Sequence, residues 1–129
     1  MLFLSSRQDQ IYALMRIVFG LMFTFHGMQD LFGLFGSTPA EIPAAMLYTV
    51  GAIELLGGVL ICVGFQTRWA AFLCSGLMAV AYFMVHQPLG LLPIQNHGEL
   101  AALYCWAFLF IAAKGDGIWS AGAATGSTL

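Results

Sequence analysis

The chain has 129 residues, 60% of them hydrophobic and only 8% charged, with a formal net charge of −2. A soluble domain typically carries ~25% charged residues, so the polar surface here is too small to cover a water-exposed globule. The composition excludes a soluble enzyme and a basic nucleic-acid binder, and it specifies an integral membrane protein whose first partner is the lipid bilayer.

A spanning helix needs ~20 mainly apolar residues, and four stretches qualify: 11–32, 44–64, 69–86 and 98–113. They take up most of the chain and leave one domain over 1–129. The expected fold is all-α, a transmembrane antiparallel four-helix bundle, since short connections make sequential helices neighbours. The first stretch is too long for a signal peptide, contains Arg16 and lacks a small-x-small cleavage site, so it is expected to stay as a span. Arg7, Arg16, Arg68 and Lys114 lie at the start, in the second connection and after the last stretch, whereas connections 33–43 and 87–97 hold no Lys or Arg. The positive-inside rule then puts both termini in the cytoplasm, with the bacterial inner membrane as the expected location.

In the first helix, IYALMRIVFGLMFTFHGMQDLF, Arg16, Gly20 and Gly27 share a face. Small residues on such a stripe let a neighbouring helix approach closely, and an intramembrane cation is expected to face inward with them. His26 and Asp30, four residues apart, are neighbours near the other end. They read either as an interfacial cap or as a proton-handling or ligand-binding pair at the mouth of the bundle. In the first connection, Pro39 suits the first turn of a short interfacial helix from Thr38, with Pro43 dividing it from the next span.

The second helix carries Gly51, Glu54 and Gly58 on one face, with Glu54 ~15 Å from the helix end, close to the midplane. A carboxyl at that depth is either protonated or paired with a cation. Arg16 is the cation nearest in depth, so an Arg16–Glu54 ion pair is expected. The turn at 65–68 is tight and basic, which makes helices two and three an antiparallel hairpin. Ser75, Ala79, Tyr82 and His86 form a stripe on helix three, and the last two approach the level of His26.

The second connection, QPLGLLPIQNHG, is expected to dip to the interface through Leu91–Ile94. Helix four opens with His97, Gly98 and Glu99, and an acid in a first turn is favoured by the helix dipole. It ends at Lys114 and Gly115, a cation followed by a stop signal. Trp119 reads as an interfacial anchor, and the last ten residues are expected to be poorly ordered. Cys62, Cys74 and Cys105 lie inside apolar stretches without a C-x-x-C, so they read as small apolar residues.

Topology and depth together gather His26, Asp30, His86, His97 and Glu99 in the outer half, with Glu54 beneath them and Arg16 lower still. Such a layer has three uses: ligating a metal, binding and protonating a quinone, whose ring needs an aromatic slot and whose carbonyls need donors, or carrying protons or a substrate along the bundle. No two histidines stand at a tight ligand spacing, so no metal site is assigned. His26, Glu54 and Glu99 are the candidate catalytic groups. Arg16, Asp30, Tyr82, His86 and His97 are the candidate substrate-binding groups.

HGMQDLFG, IELLGGVLICVGFQTRWAAF, and HGELAALY with KGDGIWS, in that order, resemble the DoxX family of small four-helix membrane proteins. The resemblance covers nearly the whole chain and implies that Arg16, His26, Gly27, Glu54, Gly58, Arg68, Gly98 and Glu99 are characteristic positions. Name-giving members are similar to a subunit of a thiosulfate:quinone oxidoreductase. This chain has Asp30 where the family pattern commonly has Lys, and Gly122 where it often has Asp, and the first change disfavours an anionic substrate such as thiosulfate. The leading expectation is a quinone-interacting redox protein, or the subunit of a quinone-linked oxidoreductase, with electrons from a bound small molecule or a partner. The alternatives are a non-catalytic subunit that anchors or assembles a partner protein, and a small transporter that works as a homo-oligomer.

Overall fold

Inside a bilayer each backbone amide must find its partner within its own segment or a closed barrel, and the apolar runs of this chain do so as helices. A computed structural model describes residues 2–36 and 42–126. The helices are α1 (Leu2–Ser5), α2 (Gln8–Phe32), α3 (Ala44–Val63), α4 (Thr67–Ala81), α5 (Pro93–Asn96), α6 (Glu99–Lys114) and α7 (Ala121–Thr125). No strand occurs among the described residues, and the expected all-α class holds. The interfacial helix expected from Thr38 lies outside the described residues.

Beyond Ala81 the α4 rod continues through a π-helical turn, Tyr82–His86, and a 3-10 turn, Gln87–Leu89. Proline has no amide hydrogen and clashes with the preceding turn, and the α-geometry gives way just ahead of Pro88. The Gln87 amide reaches back to the Tyr82 carbonyl instead. Three rods are long and apolar enough to cross a membrane: α2 with 25 residues, α3 with 20, and Thr67–Leu89 with 23. The fourth expected span, α6, has 16 residues, a rise of ~24 Å against a hydrocarbon core of ~30 Å.

The core draws Tyr12 and Phe23 from α2, Ile61 from α3, Cys74 and Met78 from α4, and Tyr104, Phe108 and Ile111 from α6. Outward faces are apolar as well, with Leu14, Val18, Leu56, Leu73, Leu103 and Phe110 all exposed. Helices that are hydrophobic all round are those of a membrane span, and the protein is integral to the membrane.

Two kinds of seam hold the rods together. Along α2–α3 the backbones touch: a Cβ on Gly20 would meet the backbone of Cys62, one on Gly27 the backbone of Leu55, and one on Gly58 the amide of Thr24. The stripes legible in the sequence are this seam. Along α2–α6 the contact is made by rings instead. Phe23 and Phe108 lie 4.7 Å apart, Phe19 and Tyr104 5.5 Å, and Tyr12 and Phe110 6.0 Å between centroids.

The end of the molecule bearing Arg68 and Lys114, here the basic end, is closed by the C-terminal segment. Of the tail expected to be poorly ordered, Ser120 and Gly122 are buried, and residues 127–129 lie outside the described residues. Asp116 accepts a hydrogen bond from the Thr67 amide at 3.1 Å, and the Gly122 amide donates to the Gly64 carbonyl at 2.9 Å. Ser120 caps α7 by accepting from the Ala123 amide. Trp119 remains exposed, as an interfacial anchor requires.

Candidate functional site

At the opposite end, the histidine end, residues of α2, α3, α4 with its π-turn, and α6 line an open cavity of about 230 Å³. Its polar lining is His26, Glu54, His86, His97 and Tyr104, and Phe23, Met78 and Leu100 contribute apolar wall. Of the layer expected from the sequence, His26, His86 and His97 line this space together with Glu54, which was expected beneath them, whereas Asp30 and Glu99 are not among its lining residues. Among the described residues no three His, Cys, Asp or Glu side chains cluster as a metal-binding set.

Glu54 is 6% exposed and Tyr104 2%. Glu54 Oε2 and Tyr104 Oη are both shielded, and neither has a hydrogen-bond partner among the described residues. Most buried polar atoms have a partner; Glu54 and Tyr104 both line the cavity, and each keeps one shielded oxygen without one among the described residues. Tyr104 is held by stacking on Phe108, 5.5 Å between centroids at 20°, and by the edge of His26 at 6.3 Å and 89°.

Asp30 lies beside Glu54, close enough for the two carboxyls to interact. A Cβ on Gly51 would stand 2.9 Å from the Asp30 Cβ, so Asp30 packs over α3 one turn before Glu54. Asp30 is half-buried, and it joins Glu54 to the surface at the histidine end.

The loop between α4 and α6 is pinned by Asn96, which is fully buried. Its side chain donates to the Tyr82 hydroxyl at 3.3 Å and to the Gly90 carbonyl at 2.9 Å, and accepts from the Gly98 amide at 2.8 Å. His86 Nδ1 lies 3.0 Å from the Asn96 carbonyl oxygen. A Cβ on Gly98 would come within 2.7 Å of both Asn96 Oδ1 and the Tyr82 ring, so only glycine fits beside His97. Tyr82 thus supports the loop and does not line the cavity. Glu99 is exposed in the first turn of α6, and the cavity wall passes through its neighbours Leu100 and Ala101.

The expected Arg16–Glu54 pair does not form. Arg16 is fully buried at the basic end, where Nη1 donates to the Ile61 and Cys62 carbonyls at 2.6 and 2.8 Å and Nη2 donates to the Trp119 carbonyl at 2.8 Å. The negative end of the α3 dipole and a returning tail supply what a carboxylate was expected to supply. Glu54, two turns further along α3, faces Asp30 and the cavity. Arg68 repeats the pattern, donating to the Ala112, Ala113 and Lys114 carbonyls at the end of α6.

Sequence reasoning missed Tyr104 and Asn96. For Tyr104 a signal existed: Ala101, Tyr104, Phe108 and Ile111 recur at spacings of three and four and form the buried face of α6. For Asn96 none did, because its partners lie in an irregular loop.

The profile of the DoxX family matches residues 11–87. An uncharacterized protein of Haemophilus influenzae is 38% identical over 121 residues, covering 88% of this chain and 90% of that one. A protein of Bacillus subtilis named "Putative oxidoreductase CatD" is 37% identical over 59 residues, covering 43% of this chain and 44% of that one. No solved structure matches.

Proposed function

The chain belongs to the DoxX family, and from that premise we propose that it is a quinone-interacting redox protein, or the membrane subunit of a quinone-linked oxidoreductase, whose site is the cavity at the histidine end. The observation that carries this reading is that Glu54 and Tyr104, each with an unpartnered oxygen, line one cavity together with three histidines and the apolar Phe23, Met78 and Leu100. A planar ring with polar oxygens on its rim matches an aromatic slot bearing a hydroxyl donor. The name of the Bacillus subtilis relative supports the redox half of the reading.

A bound quinone supplies reversible two-electron, two-proton chemistry. Tyr104 donates from its hydroxyl to a ring oxygen, and Glu54 holds or releases a proton at Oε2. Asp30 connects Glu54 to the surface, and His26 and His97 complete the rim. Electrons come from a small-molecule reductant or a protein partner. With the basic end in the cytoplasm, the site lies in the outer half of a bacterial inner membrane.

Titration of a tail-less benzoquinone into the purified protein tests this. Tyr104→Phe should weaken binding about tenfold, the equivalent of ~1.4 kcal/mol or one hydrogen bond, with no change in melting temperature. Equal affinity in wild type and variant would remove the quinone reading. Absence of binding together with a co-purifying protein would favour an anchoring subunit.

A further inference from the structure

Resting on the reading of the cavity as a ring site, the geometry points to lateral access: the ligand is an amphiphile that enters from the lipid between α2 and α6, and its apolar tail lies in a second hollow on α2. This hollow, about 430 Å³, is lined by Met22, Phe25, His26, Gln29 and Phe35. Its four α2 residues recur at spacings of three, one and three, so they form one stripe of the helix. His26 lines both the hollow and the cavity and stands between them.

The ring cavity, at about 230 Å³, falls below the ~300–1,000 Å³ of sites that enclose a drug-sized ligand whole. A head fits there and a long tail does not. The seams decide where the tail leaves. Along α2–α3 the Gly20, Gly27 and Gly58 backbone contacts leave no passage. Along α2–α6 the contacts run through side chains, rings for the most part, and at the histidine end the last of these contacts is His26 against Tyr104. Rotamer changes open such a seam; backbone contacts do not yield in that way.

Three other hollows, on the flanks of α3, α4 and α6, share no lining residue with the cavity. The α2 hollow also carries a mark of construction. Phe35 holds a left-handed backbone, φ 66°, rarely adopted by a bulky residue. Its ring sits edge-on to Phe25 at 5.6 Å and forms a wall of the hollow.

The test is photolabelling in lipid nanodiscs with a benzoquinone whose polyprenyl-like tail carries a diazirine. Label is expected on residues 22–29 of α2 or on Phe35, and excess tail-less benzoquinone should displace it. Met22→Trp fills the hollow and should cut labelling about tenfold while the calorimetric affinity for the tail-less ring stays unchanged. Leu21→Trp, one residue round the helix and lining neither space, should label like wild type. Label on α3 or α4, labelling indifferent to Met22→Trp, or an equal loss in Leu21→Trp would overturn lateral access while the ring site stands. Failure of both compounds to bind would overturn the ring site and lateral access together.

Discussion

Arg16 makes no ion pair among the described residues, although buried Asp116 lies near enough to act on its charge, and its two terminal nitrogens make three hydrogen bonds to backbone carbonyls. Hydrogen bonds involving a charged group contribute ~1.5–3 kcal/mol each, and guanidinium's planar fork reaches several acceptors at once where an ammonium is a point charge. Arg16→Lys is therefore expected to lower stability by ~2–4 kcal/mol, read as a lower midpoint in thermal unfolding in detergent. Glu54→Gln should leave that midpoint within the equivalent of ~1 kcal/mol, because no cation depends on Glu54. Equal and large losses in both variants would restore the ion pair that the helix depths suggested. The sequence shows that Arg16 faces inward but not what it meets. Two of its acceptors end the neighbouring helix, and the third, Trp119, belongs to a segment that reads as a loose tail. Backbone carbonyls leave no residue-type signature, so a partner of this kind is illegible where a carboxylate is conspicuous.

Glycines serve opposite purposes in different helices, and a substitution pair separates them. Gly27 in α2 lies against the α3 backbone, whereas nothing stands within 4 Å of a Cβ placed on Gly76 of α4. Gly27→Ala is expected to cost ~1–3 kcal/mol by overpacking, more if the backbones cannot part. Gly76→Ala should be neutral or stabilising by up to ~1 kcal/mol through lost unfolded-state entropy. Unfolding midpoints of the two variants check this, and equal effects would mean that α2–α3 is not the tight seam. The α2 and α3 stripes were readable because small residues at helical spacing have one main use in lipid. The π-turn over Tyr82–His86 was not, since Pro88 signals a break without specifying its geometry. Its effect on the site is direct: an added residue in the turn changes the angle at which His86 leaves the rod.

The two ends of the molecule are built differently, and that asymmetry bears on which compartment the site serves. At the basic end the α3 and α6 termini are capped by Arg16 and Arg68, the Tyr12 hydroxyl donates to the Gly115 carbonyl, and residues 116–126 lie across the bundle. At the histidine end a cavity and a half-buried carboxyl, Asp30, approach the surface. In the proposed reading, proton exchange with the cavity runs through the histidine end, and the topology expected from the placement of Arg and Lys puts that end outside. In a background with Cys62, Cys74 and Cys105 replaced by alanine, Gln95→Cys at the histidine end should react with a membrane-impermeant maleimide on intact cells. Ser6→Cys at the basic end should react only after the membrane is opened; both residues are exposed. The reverse pattern would put both termini outside and turn the cavity toward the cytoplasm. The bundle and its site would survive that result unchanged. The side on which protons are exchanged would invert, because that side follows from charge placement and not from packing.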